Sequence, residues 1–350
     1  MKESKKYSDQ KRWIAVGIAV ILFVMSGISG SIQKNLLTSM SEDKSKNLLS
    51  DFFNPHELTE NVISGTDKKN RILVIPIHGV IAQGDSSIIG GSSYDHGMVL
   101  DTLHQVADDP TIKGILLDVD SPGGGVYESA QLYKAITEIQ EEFHIPIYSL
   151  MGSVAASGGY YISAPADKIY ASPETTTGSI GVIMDGMNLT GLYEKLGIQS
   201  QVYKSGPNKD MGSSSRPATE EEKEIFQNYI DSAYQRFVTV VEKGRGMDRQ
   251  KVLQLADGRI YDGEQAVENG LVDELGYYEE AIAGLSKEIG VDDPEIFMME
   301  SFNMNPFTNI LLSKLQVGKD PVSRLVNALD LYHENSSPRA MYILGGDLYE

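Results

Sequence analysis

The sequence predicts an α/β protein in which helices pack on mostly parallel sheet, and three observations lead there. Short β-rich apolar runs alternate with amphipathic helical patterns through the middle of the 350-residue chain. Three of the apolar runs meet glycine-rich turns, and no repeat at a fixed period suggests a solenoid. A chain of this length buries a sizeable core without difficulty.

The elements follow in order. Lys2, Lys5, Lys6, Lys11 and Arg12 precede an uncharged run of 21 residues from Trp13 to Gln33. As a helix rising 1.5 Å per residue, that run covers roughly 30 Å, the thickness of a hydrocarbon core. The basic flank sets its N-terminal end in the cytoplasm, and Trp13 suits the interface. Residues 1–34 are therefore expected to form a cytoplasmic tip and one transmembrane anchor, with the remainder extracytoplasmic at the cell membrane. The same layout also describes a cleavable secretory signal, because Ser26, Gly27, Ser29, Gly30 and Ser31 supply small residues. Residues 35–70 are polar and mixed and read as a stalk or linker.

Residues 71–81, RILVIPIHGVI, predict the first strand. A helix over 97–107, a strand over 114–119, a helix over 127–142 and a strand over 147–151 follow. Next come a short helix opening near Ser157 and strands over 168–171, 180–184 and 199–204. Thr219 and Glu222 form the capping-box pattern that opens a long helix over 219–242. A helix-rich lobe closes the body near residue 290, so 71–290 is the expected catalytic unit and 291–350 a tail.

Composition excludes several classes. The formal net charge of −19, from 49 acidic against 30 basic residues, repels nucleic-acid backbones. No cysteine is present, which removes disulfides, thiolate nucleophiles and cysteine zinc sites. No metal or other cofactor is expected.

The glycine-rich turns carry the chemistry. They are Ser121-Pro122-Gly123-Gly124-Gly125, Ala155-Ala156-Ser157-Gly158-Gly159 and Thr177-Gly178-Ser179-Ile180-Gly181. Glycine admits backbone N–H groups to a ligand without an intervening side chain, so such turns can hold an oxyanion. Ser157 has small residues before it and glycines after it, the setting of a nucleophile, although Ala155 departs from the Gly-x-Ser-x-Gly elbow. A serine needs a base, commonly histidine. None of the six histidines lies between His144 and His333, which leaves His78 and His104 upstream or a base of another kind.

Four ordered segments resemble signal peptide peptidase A, a branch of the Clp-protease and crotonase fold. They are SPGG at 121–124, AASGGYY at 155–161, TTGSIGV at 176–182 and KSGPNKDMG at 204–212. The resemblance implies repeated β-β-α units with a helical lobe, and a serine endopeptidase with a Ser/Lys dyad. It implies Ser157 as nucleophile, Lys209 as general base in preference to Lys204, and Gly124 with the N–H of Ser157 or Gly158 as oxyanion donors. Ser179 would position the lysine amine. Asn208 stands where the family usually has a bulkier residue. The base must be kept neutral, so Asp210 is expected to face solvent or a helix terminus.

The implied partners are peptides, remnant signal peptides above all, and further copies of the chain sharing active sites. The implied substrate pocket is apolar and shallow. The apolar stripe Met341-Tyr342-Ile343-Leu344 could lie in the substrate groove as an extra strand and restrain activity. Two other readings use the same residues: a crotonase-like acyl-CoA enzyme, and an inactive, membrane-tethered peptide-binding homologue.

Overall fold

The computed structural model describes residues 58–83, 94–301 and 340–344. The expected anchor lies outside the described residues, among which no helix is long and apolar enough to cross a membrane.

A nine-stranded sheet forms the frame. Its central strands are β2 (Asp67–His78), β3 (Ile112–Ser121), β5 (Ile147–Ala156) and β6 (Lys168–Ala171), each parallel to the next. In β2, Ile72, Leu73, Val74, Ile75 and Ile77 are all buried, so both faces of the strand are covered. A continuous β-branched run rather than an alternating one is what such a parallel strand requires.

The period of two divides the core into two layers. Leu73, Ile75, Ile77, Ile115, Leu117 and Val119 face one layer. Against them pack α1 (His96–Gln105), α2 (Val126–Phe143), α3 (Gly158–Ser163) and α5 (Glu220–Gly244), with Leu103, Ile136, Tyr160 and Phe237 among the buried contacts. Ile72, Val74, Leu116, Tyr148 and Leu150 face the other layer, where Ala281 and Leu285 of α8 (Tyr278–Glu288) cover them. The turn of chain between α1 and β3 is a short 3-10 helix, Val106–Asp108.

The C-terminal ends of the central strands carry the smaller elements. β4 (Gly123–Gly125) follows β3 and leads directly into α2, one β-β-α unit. β7 (Thr176–Gly178) runs parallel to the end of β5 and antiparallel to β8 (Ile260–Tyr261). Around them lie α4 (Thr190–Leu196), α6 (Arg249–Leu255), α7 (Gly263–Asn269) and β9 (Glu274–Leu275). The long helix α5 opens with the anticipated capping box between Thr219 and Glu222.

Several elements differ from expectation. The boundary placed at residue 70 falls inside β2, and residues 58–64 form β1 (Leu58–Ser64) instead of linker. β1 is an edge strand with mostly exposed side chains, and its apolar residues Leu58, Val62 and Ile63 do not alternate as those of a half-buried strand would. β10 (Pro294–Ser301), expected to be tail, lies between β1 and β2 and pairs in parallel with β2. Residues 180–184 and 199–204 form no strand. Residues 199–204 are exposed and have no neighbouring strand to complete a ladder. In the former segment only Ile183 pairs, with Met341 of β11 (Met341–Ile343).

Candidate active site

Ser157 stands at the end of β5, where the ladder with β7 runs Val154–Thr176, Ala155–Thr177, Ala156–Gly178. Its N–H donates to the Gly178 carbonyl at 2.8 Å, and its own carbonyl accepts from Tyr161 N–H at 2.8 Å as α3 begins. Between these two anchors the backbone is forced to φ 52° and ψ −113°. A non-glycine residue at positive φ costs of order 1–3 kcal/mol and persists only where its surroundings impose it. The buried small side chains of Ala155 and Ala156 leave room for that turn. Ser157 is 0% exposed, and its Oγ makes no hydrogen bond within the described residues.

The glycine turns converge beside it. A Cβ added to Gly158 would lie 3.0 Å from Gly124 N and 2.7 Å from Ser129 Oγ, so only glycine lets these backbones approach. A Cβ on Gly124 would meet the Ile81 carbonyl oxygen at 1.9 Å. That carbonyl accepts from Gly125 N–H at 2.8 Å, which fixes the turn against the end of β2. The backbones of Gly124 and Gly158 are thus brought together. Ser179 is close by: it follows Gly178, whose carbonyl holds Ser157, and also has positive φ, 48°. Its N–H donates to Arg259 O at 2.8 Å.

Neither lysine is a hydrogen-bond partner of Ser157 Oγ. Lys209 is exposed, in a loop closed by its own N–H to Gly206 O at 3.3 Å. Lys204 Nζ donates to Pro207 O at 2.8 Å and to Asp210 Oδ1 at 2.7 Å, which occupies it as a counter-ion. Asp210 is also gripped by Arg216, which reaches the capping Glu222 of α5, so the helix-terminus expectation describes its place. The upstream histidines do not serve Ser157 either. His78 Nε2 lies 3.0 Å from Asp118 Oδ2, and that hydrogen bond raises its pKa; His104 is exposed.

β11 occupies the groove beside the glycine turns. It runs antiparallel to β4 in the register Met341–Gly125, Tyr342–Gly124, Ile343–Gly123. Leu344 N–H donates to Pro122 O at 2.8 Å and Val126 N–H to Ala340 O at 3.5 Å. By the alternation of an antiparallel ladder Tyr342 and Gly124 are then a hydrogen-bonded pair, with the Gly124 N–H facing the Tyr342 carbonyl. On the other edge Met341 exchanges hydrogen bonds with Ile183, at 2.9 and 3.0 Å. The Tyr342 ring stacks on Tyr161 at 4.8 Å between centroids, touches Phe237 at 4.8 Å, and donates its hydroxyl to Ala233 O at 3.0 Å. Burial pushes the pKa of this hydroxyl well above the usual tyrosine range. Tyr161 and Phe237 together take in a whole aromatic ring beside the glycine turns. Tyr161 ends the AASGGYY segment, whereas Phe237 had no signal in the sequence beyond aromaticity, because it arrives only through the packing of α5.

A strained, buried serine at a strand end, beside clustered glycine backbones and a groove that already holds a strand, defines a parallel-sheet α/β protein with a candidate nucleophile at its cleft. Residues 140–292 match the model of peptidase family S49. The chain is 42% identical, over 97% of its length and 99% of the relative's, to an Enterococcus faecium protein provisionally named signal peptide peptidase SppA. It is 29% identical, over 78% of this chain and 46% of the relative, to Protease 4 of Haemophilus influenzae. It is 32% identical, over 62% of this chain and 32% of the relative, to the chloroplastic serine protease SPPA of Arabidopsis thaliana. The chain belongs to peptidase family S49, the group of signal peptide peptidase A and protease 4.

Proposed function

We propose that the chain is a membrane-anchored serine endopeptidase with a Ser/Lys dyad, in which Ser157 attacks the peptide bond and Lys209 of a neighbouring copy removes its proton. One observation carries this reading. Ser157 Oγ is buried and unpartnered within its own protomer, whereas Lys209 is exposed on a loop.

In the proposed mechanism the Gly124 and Gly158 N–H groups receive the oxyanion of the tetrahedral intermediate, each such donor contributing about 3 kcal/mol. Ser179 orients the lysine amine. A free lysine has a pKa near 10.4, so the base works only when an enclosed interface strips water from it. Assembly with a second copy supplies that enclosure. Lys209 Nζ passes the proton taken from Ser157 to the leaving peptide amine; the same Nζ then deprotonates the water that attacks the acyl-enzyme and returns that proton to Ser157 Oγ as the ester bond breaks.

Substrates bind as β11 binds, as a strand between β4 and Ile183, with an apolar side chain in the Tyr161–Phe237 pocket. Remnant signal peptides and other apolar peptides at the extracytoplasmic membrane face suit that groove, and the run from Trp13 to Gln33 anchors the enzyme beside them. Fluorophosphonate labelling and peptide hydrolysis by the full-length protein test the assignment, with S157A and K209A as controls. Hydrolysis that survives both changes refutes it.

A further inference from the structure

Resting on Lys209 as the base, we propose that Arg216 is its positioning residue: the guanidinium pins the Lys209 loop to the start of α5 and occupies the Asp210 carboxylate, keeping that charge from pairing with the Lys209 ammonium.

The geometry points to Arg216 because it joins two carboxylates that do different jobs. Its Nε donates to Asp210 Oδ2 at 3.0 Å and its Nη2 to Asp210 Oδ1 at 2.7 Å, a two-pronged grip on the residue next to Lys209. Its Nη1 donates to Glu222 Oε2 at 2.9 Å, and Nη2 also contacts Glu222 Oε1. Glu222 is fixed in turn. It is 1% exposed, accepts from Thr219 N–H at 2.8 Å, and donates its own N–H to the Thr219 hydroxyl at 3.2 Å. The helix it caps runs 25 residues and buries Phe237, Val238 and Val241 in the main core. Arg216 therefore ties the base loop to the capped start of a helix whose later turns are anchored in the core. A planar fork suits this bridging role, and a lysine's point charge does not.

The loop is held on its other side as well. Lys204 Nζ reaches Pro207 O and Asp210, and Asn208 Nδ2 donates to Glu221 Oε1 at 3.4 Å. Met211 N–H donates to Asn208 O at 3.2 Å and Ser213 N–H to Asp210 O at 3.1 Å. The residues before and after Lys209 are thus fixed while its side chain remains exposed for delivery to a neighbour.

The same clamp settles an electrostatic conflict. The charged groups near Lys209 are Lys204, Asp210 and Arg216 from the loop, and Glu221 and Glu222 from α5. An uncommitted Asp210 carboxylate would favour the charged form of the adjacent lysine. Arg216 first, then Lys204, hold Asp210 far below its ordinary pKa, and Arg216 with the Thr219 N–H holds Glu222 at about 2. Both carboxylates are committed to the clamp throughout the working pH range.

The test is steady-state peptide hydrolysis by the full-length protein carrying R216Q, R216K or D210N, with assembly size and thermal midpoint measured alongside. R216Q is expected to lower kcat at least about 10-fold with KM nearly unchanged, since a misplaced base acts only in the transition state. It is also expected to move the acid limb of kcat/KM upward by roughly 0.5–1 pH unit, because Asp210 is released toward Lys209. R216K should recover part of kcat. D210N should also lower kcat but should not move the acid limb upward, as no carboxylate is freed; it serves as the second probe where R216Q does not fold. A merely structural arginine would change the thermal midpoint without moving the acid limb. An R216Q enzyme, or D210N in its place, with kcat/KM within about twofold of wild type and an unmoved acid limb overturns the proposal. If K209A is fully active, the base assignment itself fails; if K209A is silent while R216Q is normal, only the role of Arg216 fails.

Discussion

Removing the tail strand from the groove should release peptidase activity, and Tyr342 sets the size of the effect. Its side chain is 1% exposed, stacked on Tyr161 and hydrogen-bonded to Ala233 O. Truncating a buried aromatic ring to alanine costs about 3 kcal/mol at the low end of the observed range. That weakens docking of the strand about 150-fold. If the strand is docked about 99 parts in 100, Tyr342→Ala leaves it docked for about two-fifths of the time, and the accessible fraction rises about 60-fold. Ending the chain after Arg339 should take the gain to its ceiling of about 100-fold under the same occupancy. The assay is hydrolysis of an internally quenched apolar peptide by the wild-type, Y342A and truncated proteins, at matched assembly size. A peptide of sequence RAMYILGG added to the truncated enzyme should compete with substrate. Unchanged rates in both variants, with no competition by the peptide, would refute the idea that this strand restrains the enzyme.

Other outcomes follow from the same geometry. S157A and K209A should each be silent, and co-assembly of the two should restore about a quarter of wild-type activity, as random neighbours in a head-to-tail ring require; a mixture that stays silent excludes a dyad shared between copies. Gly124→Ala should lower kcat about 100-fold or more, because its Cβ would collide with Ile81 O and displace an oxyanion donor; kinetics with an unchanged fold by circular dichroism checks it. Arg71 is 8% exposed, bonded to Glu60, Asp109 and Glu295, and lies over the Phe297 ring. Arg71→Met should destabilise the fold by about 3 kcal/mol in urea unfolding, since three carboxylates lose their partner. Burial acts to raise the Asp109 pKa, but hydrogen bonds from Thr111 and Arg71 outweigh it and hold the carboxyl below its ordinary value. A lowered carboxyl pKa contributes stability above the unfolded value and loses it as pH falls through the folded one, so this contribution should fade in acid; stability that does not decline there would contradict it.

Much of the frame was legible because buried parallel strands announce themselves. RILVIPIH and GILLDV are continuous apolar runs, and both became central strands. The capping pair Thr219 and Glu222 located the start of α5 because that signal is local and needs no tertiary partner. The small residues before Ser157 were legible as a tight turn, and the backbone imposed at that point explains why they are small. Elements that depend on distant partners were not legible. β10 joins the sheet beside β2 and β1 adds at its outer edge, so segments more than 200 residues apart must meet before either is a strand. Residues 180–184 have strand composition but meet only one residue of β11, so composition alone overstated their pairing. The role of Arg216 was also hidden, since a basic residue in a polar loop shows nothing until its two carboxylates are seen together.

The stretch carrying Lys209 has a property that bears on the proposed assembly. α4 has no buried residue, and Met187, Leu196 and Tyr203 are 58%, 63% and 92% exposed. Seven residues of helix are too few to be stable on propensity alone, so packing must come from elsewhere. Covering large apolar groups on one arm by a second copy contributes roughly 25 cal/mol for each Å² removed from water. In the proposed assembly a head-to-tail contact whose rotation closes would give a ring, in which each copy would offer its arm to one neighbour and its groove to the other. Under that proposal the exposed apolar arm and the exposed lysine would have a single cause, because the contact that covers the first would also carry Lys209 toward the next copy's Ser157. Dissociation and loss of peptidase activity should accordingly occur together on dilution, and a monomer that retained full activity would break that link.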